Sequence, residues 1–172
     1  MSLKRSKTPI IAVCGGSSAP PEYEAIAETT GEMIAEEGWY LICGGLESVM
    51  AAACKGARKK NGLTIGILPD NDVSTANPDV EIPIATGVGY SRNAIIVQTA
   101  DAVIAIDGKE GTLSEMCYAL VFKKPVIVIS IEETPVDMGG IRVDKQNSPG
   151  LVVVTDPRAA IEEIKKALHL EY

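Results

Sequence analysis

Six short apolar runs, "PIIAVC" (9–14), "WYLIC" (39–43), "LTIGILP" (63–69), "DAVIAI" (101–106), "PVIVISI" (125–131) and "GLVVV" (150–154), recur along the chain among stretches of helical period. Their apolar character is continuous rather than alternating, as a strand requires when helices cover both of its faces. Strands alternating with helices need crossover connections, so the pattern predicts an α/β chain of βα units around a parallel sheet. The helical stretches are "PEYEAIAETTGEMIAEEG" (21–38), "ESVMAAACKGARKKNG" (47–62), "YSRNAIIVQTA" (90–100), "GTLSEMCYALVFKK" (111–124) and "DPRAAIEEIKKALHL" (156–170). In the first, Ile26, Met33 and Ile34 fall near one face and Gly38 is the stop signal. Asn61-Gly62 closes the second, and Asp156 before Pro157 caps the last. In the fourth, Leu113, Met116, Cys117, Leu120 and Val121 are spaced at three and four, which predicts one apolar stripe on the sheet with Ser114 on another face. Residues 70–89 break the rhythm and read as a long loop with a short strand near Glu81 to Ala85 and a glycine turn at 87–89. Residues 132–149 read as a polar surface loop.

A chain of 172 residues, 46% of them hydrophobic, can bury roughly 70% of its unfolded surface in one core. One domain over residues 8–172 is therefore expected. The formal net charge of -7 disfavours nucleic acid and anionic membrane surfaces, both of which attract clustered positive charge. The longest apolar runs fall far short of the roughly 20 residues that span a bilayer, and the start lacks a cleavable leader pattern. A soluble cytoplasmic protein is expected. Cys14, Cys43, Cys54 and Cys117 form no CxxC pair and the sole histidine is His169, so no metal site is expected. The simplest reading of the four thiols is small buried hydrophobes in a reducing compartment.

Open α/β sheets bind ligands beyond the carboxyl ends of their strands. Three glycine turns fall at such ends: "CGGSS" (14–18), "CGGLES" (43–48) and "DGKEGT" (107–112). Glycine lets backbone N–H groups approach an anion, and a helix start behind the turn adds partial positive charge. Together the turns predict a site for a small phosphorylated ligand, with Gly15, Gly16, Ser17, Gly44, Gly45, Gly108, Gly111 and Thr112 as its phosphate- or nucleotide-binding residues. The first strand lacks GxGxxG, and Cys43-Gly44 stands where a dinucleotide fold carries an acidic ribose anchor, so an NAD-type cofactor is not expected. GxxxxGK[ST] is absent, and His169 is too remote for a Ser-His-Asp hydrolase. No cofactor of any kind is expected. The remaining chemistry lies in charge. Arg92 opens one helix, Glu115 lies one turn into the next, and both flank "DAVIAI". They are either an ion pair bracing two helices or a catalytic pair, the arginine suited to phosphate or carboxylate and the glutamate to positive charge developing on a sugar.

"GKEGTLSE" resembles the PGGxGTxxE signature of the LONELY GUY (LOG) proteins, long mislabelled lysine decarboxylases, and "YSRN" stands where that family carries its arginine motif. "CGGSS", "CGGLESVMAAACKGA" and "GILP" resemble its other glycine segments in the same order, from Ile10 to about Val128. The resemblance implies a Rossmann-like three-layer sandwich with a mostly parallel sheet of about seven strands, and a homodimer or dimer-based tetramer. It further implies cleavage of the N-glycosidic bond of a nucleoside 5′-monophosphate, with Arg92 and Glu115 catalytic and Gly111 and Thr112 on the phosphate. Asp107 and Lys109 stand where that signature has proline and glycine, Asn93 where a lysine follows the arginine, and Ser48 where "GGLESVM" would carry a glycine. These departures resemble a sister branch of molybdenum cofactor carrier-like proteins. That branch implies the alternative, a non-catalytic carrier of a phosphorylated pterin.

Overall fold

Consecutive residues of β1 (Ile10–Gly15) belong to two different hydrophobic cores: Ile11 and Val13 to one, Ile10, Ala12 and Cys14 to the other. Successive side chains on a strand point to opposite faces, and both faces here are covered. The structure is a computed structural model and describes residues 8–131, 136–138, 141–143 and 150–170. The remaining strands are β2 (Tyr40–Cys43), β3 (Thr64–Leu68), β4 (Ile82–Ala85), β5 (Ala102–Ile106), β6 (Val126–Ile129), β7 (Val136–Met138), β8 (Ile141–Val143) and β9 (Leu151–Val154). The helices are α1 (Pro21–Glu36), α2 (Val49–Lys59), α3 (Arg92–Thr99), α4 (Glu110–Val121) and α5 (Pro157–Ala167).

Seven strands form one sheet in the order β4-β3-β2-β1-β5-β6-β9, and every neighbouring pair is parallel. Helices α1, α2 and α5 pack on one face, α3 and α4 on the other. The architecture is Rossmann-like, as the βα rhythm and the resemblance both predict. Two details differ. Within the stretch read as a plain loop, β7 and β8 pair antiparallel as a separate hairpin; the rest of 132–149 lies outside the described residues.

The second difference concerns α4. Its buried residues are Thr112, Glu115, Met116 and Ala119, a stripe with the helical spacing i, i+3, i+4, i+7. Cys117 and Val121, assigned to the sheet face by the apolar spacing, are exposed. Leu113 and Leu120 are only partly buried. The helix is rotated so that two polar side chains near its start, Thr112 and Glu115, go inward instead of a fully apolar row. Elsewhere the end signals hold. Gly38 takes a φ of +72° just after α1, and the Asp156 carboxylate accepts the Ala159 N–H at 3.0 Å to cap α5.

Candidate functional site

Chain order runs outward from β1 in both directions, through β2, β3 and β4 on one side and β5, β6 and β9 on the other. The crevice beyond the carboxyl ends of β1 and β5 is thus the topological switch point, where α/β sheets bind ligands. A cleft of about 310 Å³ opens there, within the size range of small-molecule sites. A larger cavity of about 450 Å³ lies near Lys123, Pro125 and Lys166, at the opposite ends of the strands. It gathers none of the three glycine turns that follow β1, β2 and β5, so the smaller cleft is the candidate.

Gly15, Gly16, Ser17, Gly44, Gly108, Gly111, Thr112, Arg92 and Glu115 all line this cleft. Gly45 does not. Its N–H donates to the Cys43 thiol at 3.3 Å, its carbonyl accepts the Asn77 N–H at 2.8 Å, and a β-carbon on it would meet Leu68. The second glycine of that turn therefore serves packing against β3 rather than the cleft.

The charged pair comes from α3 and α4 across the end of β5. Arg92 Nη1 donates to Glu115 Oε1 at 3.3 Å, and both residues are buried, at 7% and 5% exposure. A β-carbon at Gly44 would lie 2.5 Å from Arg92 Nη2, so the guanidinium rests on the bare backbone of the second glycine turn. Arg92 Nε has no hydrogen-bond partner among the described residues. Burial pushes the Glu115 carboxyl up to about 7, opposed by the Arg92 charge and by a hydrogen bond with the Cys14 thiol. Such a group exchanges a proton near neutrality, the property that suits a carboxyl to acid–base work.

Behind the pair, the first turn of α4 faces the cleft without a side-chain cap. The initial N–H groups of a helix have no intrahelical partner and suit an anion. Gly108 has a φ of +126°, and a β-carbon there would collide with the Thr112 side chain, so glycine is required at this turn. Asp107, at a φ of +51°, places its carboxylate against the Gly15-Gly16 turn, where a β-carbon on Gly16 would lie 3.1 Å from Oδ2. Asp107 and Glu110 add negative charge to the cleft lining and Lys109 adds positive charge.

Two residues outside the expected site set brace this cleft. Asn93 Nδ2 donates to Ser114 Oγ at 2.7 Å and to the Gly111 carbonyl at 3.3 Å, tying α3 to the first turn of α4. The sequence marked Asn93 only as a departure from a lysine. Ser48 holds a φ of +57° where the resembling segments carry glycine. Its hydroxyl donates to Glu24 Oε1 at 2.7 Å and accepts the Ala19 N–H at 2.9 Å, anchoring the segment that follows "CGGSS".

The Ser48 geometry separates two substitutions. Alanine removes both hydrogen bonds and keeps the backbone strain of about 1–3 kcal/mol; glycine removes the bonds and the strain together. Urea unfolding is expected to show Ser48→Ala less stable than the unsubstituted protein by about 1–2 kcal/mol, with Ser48→Gly the milder of the two. Equal losses would mean that the strain is absent.

A seven-stranded all-parallel sheet with helices on both faces and a glycine-lined cleft at its switch point defines the class of Rossmann-like α/β folds. Within it, the chain belongs to the SLOG cluster4 family, whose model matches residues 8–161. It is similar to a molybdenum cofactor binding protein from Rippkaea orientalis, at 37% identity and a TM-score of 0.85 over 95% of this chain and 99% of that one. The molybdenum cofactor carrier protein of Chlamydomonas reinhardtii is 30% identical with a TM-score of 0.81 over the same shares. A Mycobacterium tuberculosis protein described as a cytokinin riboside 5′-monophosphate phosphoribohydrolase is 30% identical over 70% of this chain and 69% of its own.

Proposed function

We propose that the cleft binds a nucleoside 5′-monophosphate and that Arg92 and Glu115 promote hydrolysis of its N-glycosidic bond. The observation that carries this reading is the buried Arg92–Glu115 pair set beside the uncapped first turn of α4. Gly111 and Thr112 hold the phosphate. As the bond from the anomeric carbon to the base breaks, the base leaves with the electron pair. Glu115 stabilises the positive charge left on the sugar and takes a proton from the water that attacks it, and that proton passes to the departing base, yielding ribose 5-phosphate. Arg92, engaged with Glu115 and seated on Gly44, positions that carboxyl. The phosphoribohydrolase similarity supports the same reading. The test is a product assay over common nucleoside monophosphates at high protein concentration, with release of free base expected. No free base from any of them would reject the reading.

A second reading is a carrier that holds a phosphorylated pterin such as the molybdenum cofactor without consuming it. Asn93 at the lysine position favours it: the residue is spent on bracing α4 and brings no charge to the cleft. The two carrier-type structures, matched over 99% of their chains, support it as well. A ligand that raises the melting temperature and is recovered unchanged would select this reading over hydrolysis.

Either ligand fits a cytoplasmic protein working as a homodimer. Among the described residues, no helix is long and apolar enough to cross a membrane. Tyr118 and Val121 of α4 and Ile95 of α3 are exposed, and Tyr118 stacks on Phe122 with ring centroids 5.9 Å apart. We assign this apolar patch to a second copy of the chain. Light scattering is expected to give a dimer, and Val121→Glu to weaken it about tenfold or more by burying a charge at the contact with unchanged circular dichroism. A monomer before substitution would reject the pairing.

A further inference from the structure

The end of β2 carries a second chemical feature that the cleft does not use. Cys43 and Cys54 place their sulfurs 3.5 Å apart, eleven residues apart in sequence, one on β2 and the other on α2. Both are wholly buried. Cys43 immediately precedes Gly44, on which the Arg92 guanidinium rests, and the N–H of Gly45 donates to the Cys43 sulfur. The pair therefore sits directly under the glycine turn that forms one wall of the cleft.

We propose that Cys43 and Cys54 form a reversible disulfide site whose closure reshapes the Gly44-Gly45 turn. A disulfide needs the sulfurs about 2.05 Å apart, so closure draws them together by about 1.5 Å from their present separation of 3.5 Å. The roles within the pair are unequal. The hydrogen bond with Cys54 and the Gly45 N–H together hold the Cys43 thiol below its usual range. Cys54 is held up first by that same hydrogen bond and then by burial. Cys43 is thus the more acidic of the two thiols and reacts first, and Cys54 resolves.

Hydrogen peroxide, admitted when the packing of α2 on β2 opens locally, supplies the two-electron oxidation. The Cys43 thiolate attacks one peroxide oxygen, the O–O bond breaks, and the departing hydroxide leaves as water with the proton that Cys43 released. The Cys54 sulfur then attacks the sulfenic sulfur of Cys43 and the S–O bond breaks. Hydroxyl departs with the Cys54 proton as a second water. The peroxide is reduced, the two thiols are oxidised, and a dithiol reductant restores them.

The consequence for the turn follows from the Gly45 N–H. In the disulfide its acceptor moves toward α2 and becomes a poorer one, so the turn loses a contact that fixes it. This readout needs no ligand, and failure of the proposed catalytic or carrier role leaves it unaffected.

The experiment uses the full chain carrying Cys117→Ser, which removes the exposed thiol and prevents cross-linking between molecules. The protein is treated with hydrogen peroxide while folded, quenched by alkylation under denaturing conditions, and mapped without reduction. A Cys43–Cys54-linked peptide that disappears with dithiothreitol is expected, together with amide exchange at Gly45 about tenfold faster in the oxidised form. In Cys54→Ala the link is lost, and Cys43, without that hydrogen bond, is oxidised more slowly. If that variant fails to fold, the map of the chain with Cys54 intact still decides. Cys43 and Cys54 recovered separately alkylated, a link through Cys14 instead, or unchanged Gly45 exchange in the linked protein overturns the proposal.

Discussion

Replacing Glu115 with glutamine is expected to slow base release from a nucleoside 5′-monophosphate by about a thousandfold while the fold survives. A carboxylate about 4 Å from a developing positive charge, at an effective dielectric near 20, contributes about 4 kcal/mol, and each 1.36 kcal/mol is a factor of about ten in rate. Glutamine keeps the shape and loses the charge. The same substitution carries a pH signature that is independent of substrate. The carboxyl has an ordinary value of 4.5 and rises to about 7 on folding because it is buried. Between those values the folded chain holds a proton that the unfolded chain has released, so stability falls as pH rises through the window and levels off above about 7. The difference, 7 minus 4.5, sets an upper figure of about 3 kcal/mol. Urea unfolding between about pH 5 and pH 8 is expected to show that decline in the unsubstituted protein and a flatter profile in Glu115→Gln. A thousandfold rate loss with an unchanged stability profile would separate catalysis from the titration. An unchanged rate would remove Glu115 from the reaction.

How much of this was legible beforehand depends on which kind of signal a residue carries. The apolar strands announce themselves because a sheet covered on both faces tolerates almost nothing else, and β1, β2, β3, β5, β6 and β9 fall within a residue or two of the runs that predict them. Arg92 and Glu115 were readable as a pair because the helix before β5 and the helix after it both start beside the carboxyl end of that strand, with each residue near the start of its helix. The face of α4 was not. Apolar spacing favoured Leu113, Cys117 and Val121, while the chain buries Thr112 and Glu115, and a buried carboxyl is a cost that pattern rules count as an error. Gly45 failed for a related reason. Two adjacent glycines look alike in sequence, yet Gly44 gives its bare backbone to a guanidinium and Gly45 to Leu68 and Gly66. Ser48 and Asn93 were visible only as departures from a pattern. Their hydrogen bonds reach Glu24, Ala19, Gly111 and Ser114, and no local rule predicts partners that far along the chain.

Gly56→Val and Gly31→Val are expected to produce the largest stability losses in the molecule outside the site. Both glycines lie where α1 and α2 cross: a β-carbon on Gly31 would run into the Ala53 carbonyl, and one on Gly56 into the Glu28 carbonyl. The helices therefore meet backbone to backbone. Helix propensity alone points the other way, since alanine in place of a mid-helix glycine gains about 1 kcal/mol. Contact with a carbonyl decides the sign, because backbone cannot swing aside as a flexible side chain can. Forcing one extra carbon into such a seam costs about 1–3 kcal/mol, and valine adds two further carbons to the same place. Salt bridges along the seam, Lys55 and Lys59 with Glu28 and Lys60 with Glu36, cannot compensate, because exposed pairs contribute about 0–1 kcal/mol each. Urea unfolding is expected to show Gly56→Ala destabilised by about 2 kcal/mol and Gly56→Val by about 4 kcal/mol or more. The Gly31→Ala/Gly56→Ala double variant should lose less than the two single losses added together, since the first substitution already parts the helices for the second. A stabilised Gly56→Ala would show that propensity outweighs the crossing and that α1 and α2 can separate at little cost.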